Sequence, residues 1–241
     1  WMYEGNGMKL FREFYKNFNI VNFPMGNTGA QMGGWYRKEI KSLKDLKGLK
    51  MRIGGFGGKV LERIGGVPQN IPGGEIYQAL EKGTLDACEW VGPYDDEKLG
   101  FNKVAKHYYY PAWWEGSTQL SAYININEWN KLPKEYQAIL EDACAYAHSD
   151  MQAKYDVKNP PALKRLIGSG TKLLPFPNEV LVACYKAAFE LYEETTAKNP
   201  KFKKVYDQWL KFRDEQIAWF GVAEDRFDGF INAAQKSSPK R

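Results

Sequence analysis

Between residues 50 and 91 the chain alternates short apolar runs with amphipathic runs that end in glycine. Residues 50–54, 67–71 and 84–91 read as strands, each bounded by turn-forming residues. Residues 58–64 and 75–82 read as helices, with Gly65–Gly66 and Gly83 in C-cap positions. Strand, helix, strand, helix, strand in that order predicts a parallel α/β sheet. Ligands of such sheets sit beyond the C-terminal ends of the strands. Two of those ends carry polar residues on otherwise apolar runs: Arg52 on the first strand, and Glu89 followed by Trp90 on the third.

Arg52 runs straight into Gly54, Gly55, Gly57 and Gly58. Its guanidinium keeps its charge and presents a planar fork that matches a carboxylate. Glycines beside it let a ligand or another backbone approach closely. The glycine turn also invites a nucleotide reading, which the spacing rejects. Counted from Gly55, the third glycine of a dinucleotide fingerprint is replaced by Val60. Of a phosphate loop, Ile53 stands where the first glycine belongs and Val60 where Ser or Thr is required.

Glu89 must be paired or bind a cation if it is buried in its apolar strand. Glu115 closes the aromatic run YYYPAWWE, and Gln31 offers a neutral oxygen from the small-residue loop 26–34. Two carboxylates and an amide oxygen suit a hard cation such as Na⁺ or Ca²⁺. An ion pair with Arg or Lys is the competing reading of such carboxylates. Histidine occurs twice, at His107 and His148, and no G-x-S-x-G elbow is present, so hydrolytic chemistry has little to work with. Cys88, Cys144 and Cys184 are too few and too far apart for a zinc motif, and read as buried free thiols.

The chain's 241 residues, 44% of them hydrophobic, fit one large domain or two small ones. A net charge of +5, with both signs interspersed, fits a solvated surface better than a nucleic-acid groove. No apolar run reaches the length of a membrane span. The residues from Trp1 onward carry no signal-peptide pattern, so localisation is not read from them. Residues 8–18 read as a helix, 19–24 as a short buried strand and 116–126 as a further strand. His107 reads as part of a helix-to-loop segment. A long helix starts at Lys134, with Tyr136, Leu140, Ala143, Ala147 and Met151 as its apolar stripe, and Pro160–Pro161 breaks or kinks it. Residues 178–197 and 202–220 are two more amphipathic helices, and 235–241 is a polar tail. The aromatic cluster 108–114 reads as a stacking wall or as ordinary core.

Several stretches, MGGWYRKEI, LKGLKMRIGGFGG, GGVPQNIPGGEIYQALEKGTLDACEWVGPYDDEKLGF and YYYPAWWEG, resemble the solute-binding proteins of TRAP (tripartite ATP-independent periplasmic) transporters. DLKGLKMRI and EIYQALEKGTLDACEW are similar to the family's general signatures. EWVGPYDDEKLGF with YYYPAWWEG is similar to the subgroup that binds 2-oxo acids such as pyruvate or 2-hydroxy acids such as lactate. The resemblance implies an α/β, two-lobe periplasmic binding protein of type II-like architecture with a long lobe-spanning helix. It also implies that the N-terminal part of the first lobe is missing. Residues 1–29 and 116–150 would then form a partial lobe I, and 30–115 and 151–241 lobe II with the C-terminal helices.

By the same resemblance the chain is not an enzyme. It captures a small monocarboxylate in the periplasm and delivers it to TRAP membrane permease subunits. Substrate contacts fall on Arg52, Gln31, Trp90 and Trp114. A substrate-bridging Na⁺ or Ca²⁺ falls on Gln31, Glu89, the backbone oxygen of Trp90, and Glu115. Trp113 completes an aromatic wall, and Trp209, Trp219 and Phe220 are candidates for a homodimer contact. A ligand-sensing subunit of a signalling system, and a metal-dependent 2-oxo acid enzyme using the same arginine and cation, are the alternative functions.

Overall fold

The computed structural model describes residues 1–237; residues 238–241, the end of the polar tail, lie outside the described residues. In chain order the elements are α1 (Gly7–Lys16), β1 (Ile20–Asn27), β2 (Trp35–Tyr36), β3 (Lys50–Arg52), α2 (Gly55–Arg63) and β4 (Val67–Gln69). Then come α3 (Ile76–Lys82), β5 (Ala87–Cys88), α4 (Pro93–Leu99), β6 (His107–Tyr110), β7 (Gln119–Asn125) and α5 (Ile126–Lys131). The last five are α6 (Lys134–Gly168), β8 (Lys172–Pro175), α7 (Asn178–Lys198), α8 (Pro200–Val222) and α9 (Glu224–Ser237). The chain divides into two compact units, Asn22–Glu194 and Trp1–Val21 with Thr195–Arg241.

The larger unit is built on a six-stranded sheet in the order β4-β3-β5-β2-β6-β8. Strand β3 runs parallel to β4 and β5, and β6 runs parallel to β8, as strand–helix alternation requires. The sheet is nevertheless mixed, which corrects the all-parallel expectation. Strand β2 lies between β5 and β6 and is antiparallel to both. Its two residues, in a glycine-flanked stretch, are too short to show a period. The third expected strand, 84–91, shrinks to Ala87–Cys88. Its first residues are tied instead back to α3, where Leu85 N–H donates to the Ala79 carbonyl at 3.1 Å. His107 lies in strand β6 rather than in a helix-to-loop segment.

Both faces of the sheet are buried. Successive side chains of a strand point to opposite faces. Tyr36, Ala87 and Tyr109 accordingly belong to one apolar cluster, and Trp35, Cys88 and Tyr108 to the other. Helices α2 and α7 cover the first face with Val60, Leu61, Val180 and Cys184. Helix α3 and the end of α6 cover the second with Ile76, Leu80 and Leu166. The aromatic run 108–114 is therefore part core and part rim. Tyr108 stacks on Trp35 at 4.0 Å, Tyr109 stacks on Phe176 at 4.8 Å, and Trp113 and Trp114 are half-buried. All three cysteines are free and buried.

Strands β1 and β7 form a separate two-stranded ribbon. Helix α6 runs unbroken through Pro160 and Pro161 to Gly168. Its expected apolar stripe is not its buried one. Tyr136 is 59% exposed, whereas Gln137, Cys144, Ala162 and Leu166 are buried. In the smaller unit α1 packs on α8 and α8 on α9, with Lys204 of α8 paired to Glu13 of α1. Trp219, Phe220, Phe227 and Phe230 of this unit are exposed.

Candidate functional site

Strand pairing sets the site. Arg52 is in register with Cys88, so the C-terminal ends of β3 and β5 lie side by side and Glu89 leaves the sheet next to Arg52. Arg52 Nη1 donates to the Glu89 carboxylate and, at 3.2 Å, to the Glu89 carbonyl. Its Nε donates to the Ile71 carbonyl at 3.4 Å, and the guanidinium lies 5.1 Å from the centre of the Trp90 ring. Nη2 makes no hydrogen bond among the described residues, so one arm of the fork is left for another acceptor.

Burial dominates the ionisation of Glu89. It pushes the carboxyl up to about 7, against the opposing pull of Arg52 and with the Glu115 charge adding to the rise. The pair is thus a poorly solvated carboxylate beside a fixed cation, with a second carboxylate near enough to be felt.

Gln31 and Glu115 reach the site from the far end of the β1–β7 ribbon. There Thr28 N–H donates to the Thr118 carbonyl, and Thr118 N–H donates to Thr28 Oγ1, both at 3.1 Å. That clamp brings the loop after β1 against the loop before β7. Gly34 then passes over the end of β5 with φ of 84°, so close that a Cβ there would stand 2.3 Å from the Cys88 carbonyl oxygen. Only glycine fits both the dihedral and the space.

The outer end of the Gln31 amide lies 2.9 Å from the Trp90 carbonyl oxygen and 3.1 Å from Glu115 Oε2. One amide orientation satisfies this arrangement unaided, and the other does so only with a cation. With the NH₂ outward, Gln31 donates to both oxygens and accepts from Thr118 Oγ1. With the oxygen outward, Nε2 donates to the hydroxyls of Thr28 and Thr118, and three oxygens with no proton between them face one another. Such a set is held together only by a cation. An amide oxygen, a backbone carbonyl and a carboxylate are the donors that hard cations take. Among the described residues no three His, Cys, Asp or Glu side chains converge as a metal cluster.

The Trp90 carbonyl and the Glu115 carboxylate therefore both lie within hydrogen-bond distance of Gln31. The side chain of Glu89 lies on Arg52, and the backbone links it to Trp90. Trp114 packs on the turn after Arg52: its Cβ lies 3.3 Å from where a Cβ on Gly57 would be. Its indole Nε1–H is buried with no acceptor among the described residues. Helix α2 starts at Gly55, three residues earlier than expected, and Gly55 itself has φ of 58°.

Sequence reasoning missed Thr28, Thr118 and Asp96. Asp96 is buried, and its carboxylate accepts from Trp35 Nε1 at 2.9 Å, from Tyr108 Oη at 2.7 Å, and from the Val91 and Gly92 N–H groups at 3.2 Å each. Gly92-Pro93 followed by two aspartates is a helix-start pattern that could have revealed α4 and its acidic first turn.

The family model for bacterial extracellular solute-binding protein, family 7, matches residues 1–199. A monocarboxylate 2-oxoacid-binding periplasmic protein of Nostoc is 52% identical over 235 residues, 98% of this chain; the chain spans 65% of that relative's length. The crystal structure of a TRAP transporter solute-binding protein from Bordetella bronchiseptica, a dimer with calcium and picolinate in one site, is 54% identical. It superimposes with a TM-score of 0.95 over 98% of this chain and 70% of its own. A TRAP periplasmic solute-binding protein from Pseudoalteromonas atlantica with bound sodium and pyruvate is 41% identical, with a TM-score of 0.89 over 99% of this chain and 71% of its own.

Proposed function

The chain belongs to the bacterial extracellular solute-binding proteins of family 7, and on that premise we propose that it captures a small monocarboxylate in the periplasm for a TRAP-type membrane permease. Its family is one of binding proteins, not enzymes. The proposed ligand is a 2-oxo acid such as pyruvate, or a 2-hydroxy acid such as lactate. The observation that carries this reading is the convergence of the Gln31 amide, the Trp90 carbonyl and the Glu115 carboxylate beside an arginine with one open arm.

In this reading Arg52 holds the ligand carboxylate, and Gln31, the Trp90 carbonyl, Glu115 and Glu89 hold Na⁺ or Ca²⁺. When bound, the cation would chelate a carboxylate oxygen and the neighbouring 2-oxo or 2-hydroxy oxygen. Glu89 would exchange Arg52 for the cation as the ligand carboxylate takes its place on the guanidinium. The influence of Glu115 on Glu89 supports this, since two carboxylates that repel are the pair a cation relieves. Trp90, Trp113 and Trp114 would exclude water, and the indole N–H of Trp114, with no acceptor among the described residues, would donate to a ligand oxygen. Micromolar capture needs about −8 kcal/mol, and charge-assisted hydrogen bonds at Arg52 supply about 1.5–3 kcal/mol each. The cation is asked for much of the rest.

The two lobes proposed are 1–29 with 116–150 and 30–115 with 151–241. A homodimer through α8 and α9 is proposed on the exposure of Trp219, Phe220, Phe227 and Phe230. Calorimetry with pyruvate in the presence and absence of Ca²⁺ or Na⁺ tests the function. Binding that needs the cation is expected; equal affinity in its absence overturns the chelation reading.

A further inference from the structure

The carbonyl of Trp90 and the N–H of Val91 belong to one peptide unit. That unit is planar and trans, so its C=O and N–H point in opposite directions. Whatever holds the N–H also aims the oxygen. The Val91 N–H donates to Asp96 Oδ1 at 3.2 Å, while the Trp90 oxygen at the other edge lies 2.9 Å from the Gln31 amide. Asp96 is itself held: Oδ1 also takes the Gly92 N–H, and Oδ2 takes the Trp35 indole and the Tyr108 phenol from the sheet's stacked aromatic pair. On the far side of Val91, its carbonyl accepts the Met32 N–H at 3.0 Å, which ties the turn to the residue following Gln31.

We infer that Asp96, whose carboxylate is taken up by four protein donors, is a positioning residue that fixes the Trp90–Val91 peptide plane so that the Trp90 carbonyl faces the cation. The inference rests on the proposed cation site. Removing the anchor lets the peptide plane rotate and a water take the carbonyl's place. Outer partners of metal ligands are worth on the order of 10–100-fold in affinity.

Terbium(III), which replaces Ca²⁺ and is excited through the indole of Trp90, is the probe. Its emission lifetimes in H₂O and D₂O count the waters bound directly to it. Asp96→Leu is expected to gain about one bound water and to bind Ca²⁺ on the order of 10–100-fold more weakly. Asp96→Asn is expected to restore the wild-type water count. Its amide oxygen can still accept from the turn, while its NH₂ turns to the tyrosine hydroxyl, which can accept; the Trp35 indole N–H loses its acceptor, which lowers stability and leaves the hold on the Val91 N–H in place. Leu80→Ala, a core truncation on the same face of the sheet, lowers stability and leaves the water count unchanged.

A wild-type water count and affinity in Asp96→Leu overturn the inference alone. No terbium uptake by the wild-type chain overturns the cation site and the inference with it. If Asp96→Leu does not fold, amide hydrogen exchange on the wild type decides. The Val91 amide is expected to be protected like a sheet amide, and exchange at the rate of an open loop overturns the anchor.

Discussion

Replacing Glu89 by glutamine separates what the site does for binding from what it does to the fold. Burial raises the Glu89 carboxyl from 4.5 to about 7 even though Arg52 pulls the other way. Because the folded value lies above the unfolded one, the wild-type chain has its full stability below about 4.5 and loses it as the pH rises through about 7. The difference corresponds to roughly 3 kcal/mol once both states are ionised, at about 1.36 kcal/mol per unit. Glutamine keeps the shape and cannot ionise. Arg52, 22% exposed and with Nη2 open, stays solvated in the variant.

Glu89→Gln should therefore stabilise the ligand-free chain by about 2–3 kcal/mol at pH well above 7, or roughly 5–10 °C in Tm. The gain should vanish near pH 4.5. Urea or thermal unfolding followed by circular dichroism across that range measures it. Added Ca²⁺ should stabilise the wild type and not the variant, since the cation supplies the charge that burial withholds. A variant less stable than wild type at high pH would refute the reasoning: the Arg52 pair would then outweigh desolvation, and Glu89 would be a structural partner rather than a carboxylate held in reserve.

Arg52→Ala should weaken pyruvate binding by about tenfold to a few hundredfold, the worth of a lost charge-assisted contact; calorimetry giving near wild-type affinity would remove Arg52 as the anchor. Gly34→Ala should destabilise the chain by more than about 1–2 kcal/mol, because a strained left-handed dihedral is compounded by a clash with the Cys88 carbonyl. Unchanged urea unfolding would mean the loop over β5 is looser than described. In a thermal-shift screen with Ca²⁺ present, 2-oxo monocarboxylates should raise the melting point and sugars or amines should not. The opposite pattern would overturn the ligand class.

Residues of the candidate site stand out in the sequence because their chemistry conflicts with their surroundings. An arginine at the end of an apolar strand, a glutamate inside another and a glycine turn between strand and helix all violate local expectation, and such violations mark sites. The helices α2 and α3 were legible for the opposite reason: period and glycine caps agree. The strands β2, β6 and β8 were not. Two to four residues carry no period, and Trp35 and Tyr36 look like loop until β5 and β6 pair with them on both sides. The stripe on α6 misled because periodicity reports a face without saying what packs on it. Asp96 was hidden because a carboxylate in a first helical turn reads as a cap, and its four donors come from three separate stretches of chain.

By itself the sequence determined the residue types at the site and the βαβ frame that brings β3 and β5 together, since these follow from local period, turn chemistry and strand pairing. Only the tertiary structure decided which way the groups point. The ribbon clamp at Thr28 and Thr118 carries Gln31 and Glu115 to the Trp90 carbonyl, and Asp96 holds the peptide that bears it. Direction is a property of contacts between segments far apart in the chain, and no local pattern encodes it.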